Sequence, residues 1–116
     1  LVVDGEATRL SLLGNALSSQ GYSLQLAADG AAALQWLQGG NMPTLVIADA
    51  GARLLAAGSL LAEMVEQGYR GPALVLEDAD APLHRDQFPP QLQVHMLRKP
   101  LEMQQVFTAV ASALEE

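Results

Sequence analysis

Four short segments of the 116-residue chain carry the side chains that could do chemistry. They are Asp4-Gly5-Glu6, Asp49, Glu77-Asp78 and Lys99-Pro100. Each follows an apolar run, so several carboxylates and one lysine converge if those runs are neighbouring strands. Two like charges ~4 Å apart repel by roughly 4 kcal/mol at an effective dielectric of 20. A cation, a lysine or a raised pKa must offset that cost. Oxygen ligands at this density suit Mg²⁺ better than a transition metal. Lys99 is the lysine at hand on that rim. His84 and His95 read as ordinary residues, since neither has a second histidine or a cysteine at ligand spacing.

The elements that must position these residues alternate in period. Leu1-Val2-Val3 is a short apolar run ending at Asp4. Residues 7–20 repeat at helical spacing through Leu10, Leu13 and Leu17, and Gly21 stops them. Tyr22 to Leu26 alternates with period two and predicts a strand. Asp29-Gly30 opens a second helix with Ala33, Leu34 and Leu37 inward, closed by Gly39-Gly40. Thr44 to Ala48 is apolar and ends at Asp49. Residues 56–67 predict a third helix with Leu60, Leu61, Met64 and Val65 inward, before Gly68 and the Gly71-Pro72 turn. Ala73 to Leu76 and Val94 to Leu97 are two further strands. The last helix, 101–114, is expected to bury Met103, Val106, Phe107, Val110 and Leu114. Between Asp80 and Gln93, Pro82, Pro89 and Pro90 leave room for one short turn near 83–88, so the fourth helix is expected to be short or irregular. Strands apolar on both faces, alternating with helices, predict one doubly wound α/β domain over residues 1–116, a five-stranded parallel sheet with helices on both faces.

Composition narrows the function classes. The formal net charge is −7, with six basic residues spread along the chain, which argues against direct nucleic-acid binding. There is no cysteine, so disulfides and thiolate metal sites are excluded. No apolar run approaches the ~18–20 residues that span a bilayer, so no membrane contact by this domain is expected. The chain opens inside what reads as a strand, and a domain cut from a longer protein is expected. A nucleotide- or flavin-binding domain is the competing class, but Asp4-Gly5-Glu6-Ala7 stands where a glycine-rich phosphate loop would be needed.

The ordered set resembles the response-regulator receiver family of two-component signalling. The resemblance rests on Leu1-Val2-Val3-Asp4-Gly5-Glu6, on Ala28-Asp29-Gly30 through Leu34, on Leu45-Val46-Ile47-Ala48-Asp49 and on Arg98-Lys99-Pro100-Leu101, and it covers essentially the whole chain. It implies the flavodoxin-like receiver fold and a place in a bacterial, cytoplasmic phosphorelay, with a parent protein that can be membrane-anchored. It implies that Asp49 accepts a phosphoryl group from phosphohistidine on a histidine kinase or phosphotransfer domain, and that Lys99 contacts that group. It further implies Mg²⁺ held by Asp4, Asp49 and the Gly51 backbone, with Glu6 a candidate additional ligand. Such a domain is at most a phosphoacceptor with self-dephosphorylation.

The match is partial. The second acidic position is Gly5. The hydroxyl position after the fourth strand is Glu77, and the switch aromatic is Met96. A carboxylate cannot donate a hydrogen bond to a phosphoryl oxygen. Two readings of Glu77 stay open: it pairs with Lys99 and locks one state, or it turns outward or towards a metal. The expectation is a degenerate receiver, from a hybrid sensor kinase by analogy, with a weakened or absent switch. The alternative is a phosphorylation-independent pseudo-receiver acting as a protein-interaction module. The partner face is expected on the first helix or on the side of the fourth and fifth helices, where a weak homodimer is also admitted.

Overall fold

The computed structural model describes residues 1–49, 57–78 and 88–114. Its elements in chain order are β1 (Val2–Val3), α1 (Ala7–Ser19), β2 (Leu26–Ala27), α2 (Gly30–Gln38), β3 (Val46–Asp49), α3 (Ala57–Glu66), β4 (Ala73–Glu77), β5 (Val94–Arg98) and α4 (Met103–Leu114). The strands form one parallel sheet in the order β2-β1-β3-β4-β5. The order reverses between β1 and β3, which is the switch point where open α/β sheets place their sites. The register sets Val3 beside Ala48 and Glu77 beside Arg98. The carboxyl ends of β1, β3, β4 and β5 therefore share one edge.

Period-two alternation divides the core into two layers. Val3, Val46, Ala48, Ala73 and Val75 face the layer that holds Ala33, Leu37, Leu60, Leu61 and Met64 of α2 and α3. Val2, Ile47, Leu74 and Leu76 face Leu13 and Leu17 of α1 and Val106 and Val110 of α4. Full burial of each valine, leucine, isoleucine or methionine among them contributes roughly 1.5–3 kcal/mol. Asp29 caps α2, its carboxylate accepting from the Ala32 N–H at 2.8 Å. α1 ends as its glycine predicts: Gly21 has φ +93° and donates to Ser18 O at 3.0 Å.

Two expectations change, and one lies outside the described residues. The strand predicted from Tyr22 is confined to Leu26–Ala27, because β2 lies at the sheet edge and its sole neighbour, β1, is two residues long. Tyr22 and Leu24 still pack inward on the α1 and α4 side. In α4 the buried stripe is Val106, Val110 and Ala113, whereas Leu114 is exposed and Met103 and Phe107 pack at its margin. The predicted short turn at 83–88 lies mostly outside the described residues, as does His84. Phe88 and Leu92 beyond it are buried against the α2 and α3 layer. Among the described residues, no helix is long and apolar enough to cross a membrane.

Candidate functional site

Asp4 follows β1 directly and is fully buried. Its N–H donates to Ala27 O at 3.1 Å, and its Oδ1 accepts from the Glu6 N–H at 2.9 Å. That second bond turns the chain into α1. Glu6 holds the N-cap backbone position but makes no side-chain cap.

Arg9, in the first turn of α1, occupies the centre of the site. Its Nε binds Asp4 Oδ2, and its Nη2 lies 2.9 Å from Asp4 Oδ1. The same Nη2 donates to Asp49 Oδ1 at 3.2 Å. Nη1 stands 3.6 Å from Glu6 Oε2. This is a two-pronged grip on a buried carboxylate, extended to a second one, of the kind that the planar guanidinium fork makes and an ammonium cannot. The hydrogen bonding to Asp4 raises the Arg9 pKa further above its usual value, against the opposing effect of burial and with added help from the charges of Asp4, Asp49 and Glu6.

Asp49 ends β3, and its side chain is 8 % exposed. Its Oδ1 is also in contact with Lys99 Nζ, which lies 3.2 Å from Asp78 Oδ1 as well. Lys99 follows β5, and its backbone N–H donates to Glu77 O at 2.9 Å. The peptide from Lys99 to Pro100 is cis.

Glu77 ends β4 with its carboxylate largely buried, and Arg98 Nη2 approaches its Oε1 at 3.6 Å. Of the two open readings of Glu77, the described ion pairs do not include the one with Lys99: they give Lys99 to Asp49 and Asp78, and Glu77 to Arg98. The register explains the exchange. Arg98 lies directly beside Glu77, while Lys99, one residue on, projects to the opposite face. Met96 is half-buried against the α2 and α3 layer, and His95, on the opposite face of the edge strand β5, is exposed. Trp36 packs at the margin of the same layer.

The structure thus brings together Asp4, Asp49, Lys99 and Asp78, with Glu6 at the rim and Glu77 one strand end away. Gly51 lies outside the described residues. Arg9 is the member that residue spacing did not single out. A signal was present: a cation in the first turn of a helix opposes the helix dipole, and α1 has no acidic residue there. Such a cation needs a partner outside the helix.

The residues present do not fit a divalent cation in this arrangement. Both oxygens of Asp4 and Oδ1 of Asp49 already bind Arg9. Gly5 supplies no side-chain ligand. Among the described residues, no group of three or more acidic or histidine side chains is placed to hold a metal ion.

No protein-family model matches the chain, and neither does any curated protein. Solved structures do. A response regulator receiver domain protein from Clostridium thermocellum superposes with a TM-score of 0.82 at 22 % identity, over 98 % of this chain and 91 % of that one. The chain has the receiver fold. The signal receiver domain of an HD domain-containing protein from Pseudomonas fluorescens Pf-5 is 26 % identical with a TM-score of 0.80, over 98 % and 91 % of the two chains. NtrX from Brucella abortus is 22 % identical with a TM-score of 0.81, and there the match covers 98 % of this chain but 26 % of that chain. This receiver-fold domain is thus similar both to separate domains and to one part of a much longer protein. Its five parallel strands in the order 2-1-3-4-5 are those expected of a flavodoxin-like receiver.

Proposed function

We propose that this receiver-fold domain is a module of a two-component signalling protein that works as a phosphorylation-independent interaction domain. The observation that carries the reading is the binding of Asp49 Oδ1 by both Arg9 and Lys99. An attacking carboxylate has to offer an oxygen to phosphorus. Here one oxygen is committed to two cations, and withdrawal of the Arg9 prong also disturbs a fully buried Asp4. Glu77, at the end of β4, adds negative charge where a phosphoryl oxygen would need a donor. The partner is a histidine kinase or phosphotransfer domain, met through the α1 face, on which Leu12 is 52 % exposed. The parent chain is a multidomain protein, with the hybrid sensor kinase as the favoured type, and this module faces the cytoplasm.

One observation favours a second reading, in which Asp49 keeps slow phosphoacceptor chemistry: Lys99 contacts Asp49, as a phosphoryl-binding lysine would. In that step an Asp49 oxygen bonds to phosphorus while the bond to the leaving group breaks, phosphorus–oxygen in an acyl phosphate or phosphorus–nitrogen in phosphohistidine, and the carboxylate or imidazole departs with the electron pair. Incubation with acetyl phosphate and Mg²⁺, followed by intact-mass measurement, separates the readings. An unchanged mass supports the interaction module. Stoichiometric addition of one phosphoryl group that Asp49→Asn abolishes supports the phosphoacceptor.

A further inference from the structure

We infer that the Arg9 guanidinium is a tethered substitute for a divalent cation, joining Asp4 and Asp49 so that this carboxyl edge is assembled without metal. The inference deepens the phosphorylation-independent reading of the same site and rests on its placement of Asp4 and Asp49.

The geometry is that of a bridging cation. One guanidinium binds both oxygens of Asp4 and one oxygen of Asp49, from two strands that are adjacent in the sheet. Asp4 is fully buried and Asp49 nearly so, so each needs a counter-charge at short range. A diffusible ion would supply that charge in proportion to its concentration. Arg9 is anchored on α1 and supplies it at all times, because tethering makes the association intramolecular. Gly5 supplies no side-chain ligand beside Asp4. The position of Arg9 strengthens the assignment: a cation in the first helical turn is opposed by the helix dipole, so the carboxylates and not the helix hold it there. A divalent ion would have to displace the guanidinium from both carboxylates before it could bind.

The test compares the wild-type chain with Arg9→Met, Asp4→Asn and Arg9→Met combined with Asp4→Asn, in EDTA and in 10 mM-scale Mg²⁺ or Mn²⁺. Wild type is expected to melt at the same temperature with and without the ion. Arg9→Met is expected to melt lower in EDTA and to recover by about 5 °C in Mg²⁺ or Mn²⁺. The double variant is expected to lose that recovery, because Asp4 is needed to hold the ion. A mere packing role for Arg9 would give no metal recovery and would overturn the inference. Should Arg9→Met fail to fold, the wild-type chain decides by itself. Mn²⁺ titration followed by NMR should leave the amides of residues 4–6 and 49 unbroadened at millimolar ion, and saturable broadening there would overturn the inference. Labelling by acetyl phosphate keeps the two readings apart. Asp49 labelling that runs equally in EDTA and Mg²⁺ would overturn phosphorylation independence and support Arg9 as the resident cation. Labelling that requires Mg²⁺ would overturn both.

Discussion

Arg9 on α1 and Asp49 at the end of β3 are forty residues apart in sequence and meet at 3.2 Å, Nη2 to Oδ1, over a fully buried Asp4. The contact ties the first helix to the centre of the sheet. It also gives the helix a direct part in setting the charge around Asp49. Loss of the guanidinium strands Asp4 in the interior. Arg9→Ala is therefore expected to destabilise the fold by about 3 kcal/mol, measured by urea unfolding at neutral pH and low salt. Arg9→Lys should recover only part of this, because one ammonium cannot make the two-pronged bond to Asp4. Full stability in Arg9→Ala would show that the fork contributes nothing to folding.

Asp49 Oδ1 is shared by Arg9 and Lys99, so the two cations substitute for each other. Lys99→Met alone should cost about 1–2 kcal/mol, since Arg9 still neutralises Asp49. Together with Arg9→Ala the loss should exceed the sum of the single losses, by about 1 kcal/mol, because the double variant removes both cations from a buried carboxylate. A double-mutant cycle by chemical unfolding measures the coupling. Strict additivity would mean that the two cations act on Asp49 independently.

Tyr69 gives a pH prediction that is separate from the carboxyl edge. It is almost fully buried, and its hydroxyl donates to Pro72 O at 2.6 Å. Burial holds the phenol well above its ordinary range, against a weaker opposing hydrogen bond with the Val46 backbone. A raised folded-state pKa means that this contribution is complete below the unfolded value of ~10 and is lost as pH rises from there towards the folded value. Stability should thus decline above pH ~10. Tyr69→Phe should cost about 1 kcal/mol at neutral pH through the lost hydrogen bond to the Pro72 carbonyl, and should flatten the alkaline decline. Parallel slopes for the two proteins from pH 9 to 11 would assign the decline to other groups.

If Gly5, Arg9 and Glu77 are what separate this chain from an efficient phosphoacceptor, replacing all three should restore the chemistry. Gly5→Asp adds an oxygen ligand, Arg9→Ala frees Asp4 and Asp49, and Glu77→Thr supplies a hydroxyl donor at the end of β4. The triple variant should take up phosphoryl from acetyl phosphate in most chains, in a Mg²⁺-dependent manner, where wild type stays unlabelled. Intact-mass measurement with and without EDTA reads the result. A triple variant that folds, binds Mg²⁺ and stays unlabelled would place the block elsewhere.

The amino-acid sequence determined the layers and most of the site's positions by itself. Val2-Val3, Val46-Ile47-Ala48 and Ala73 to Leu76 are apolar on both faces, and a strand with that pattern is stable only between two helical layers. Once the strands are parallel, Asp4, Asp49, Glu77 and Lys99 must stand along one edge, because each follows or ends a strand that runs the same way. Elements at the margins were less legible. The extent of β2 depends on how many residues its neighbour offers for pairing, and the rotation of α4 depends on the shape of the sheet face beneath it, so the alternation from Tyr22 to Leu26 was readable while the strand length and the exposure of Leu114 were not.

Only the tertiary structure decided the pairing of charges. Glu77 meets Arg98 and not Lys99 because the β4–β5 register puts them side by side and alternation sends the next residue to the other face. Arg9 reaches Asp4 and Asp49 because α1 packs across β1 and β3, and its long side chain then spans the two strand ends. Backbone periodicity is a local property of the chain. A long, flexible cation chooses its partner by distance in the folded molecule, and neighbours in sequence carry no record of that choice.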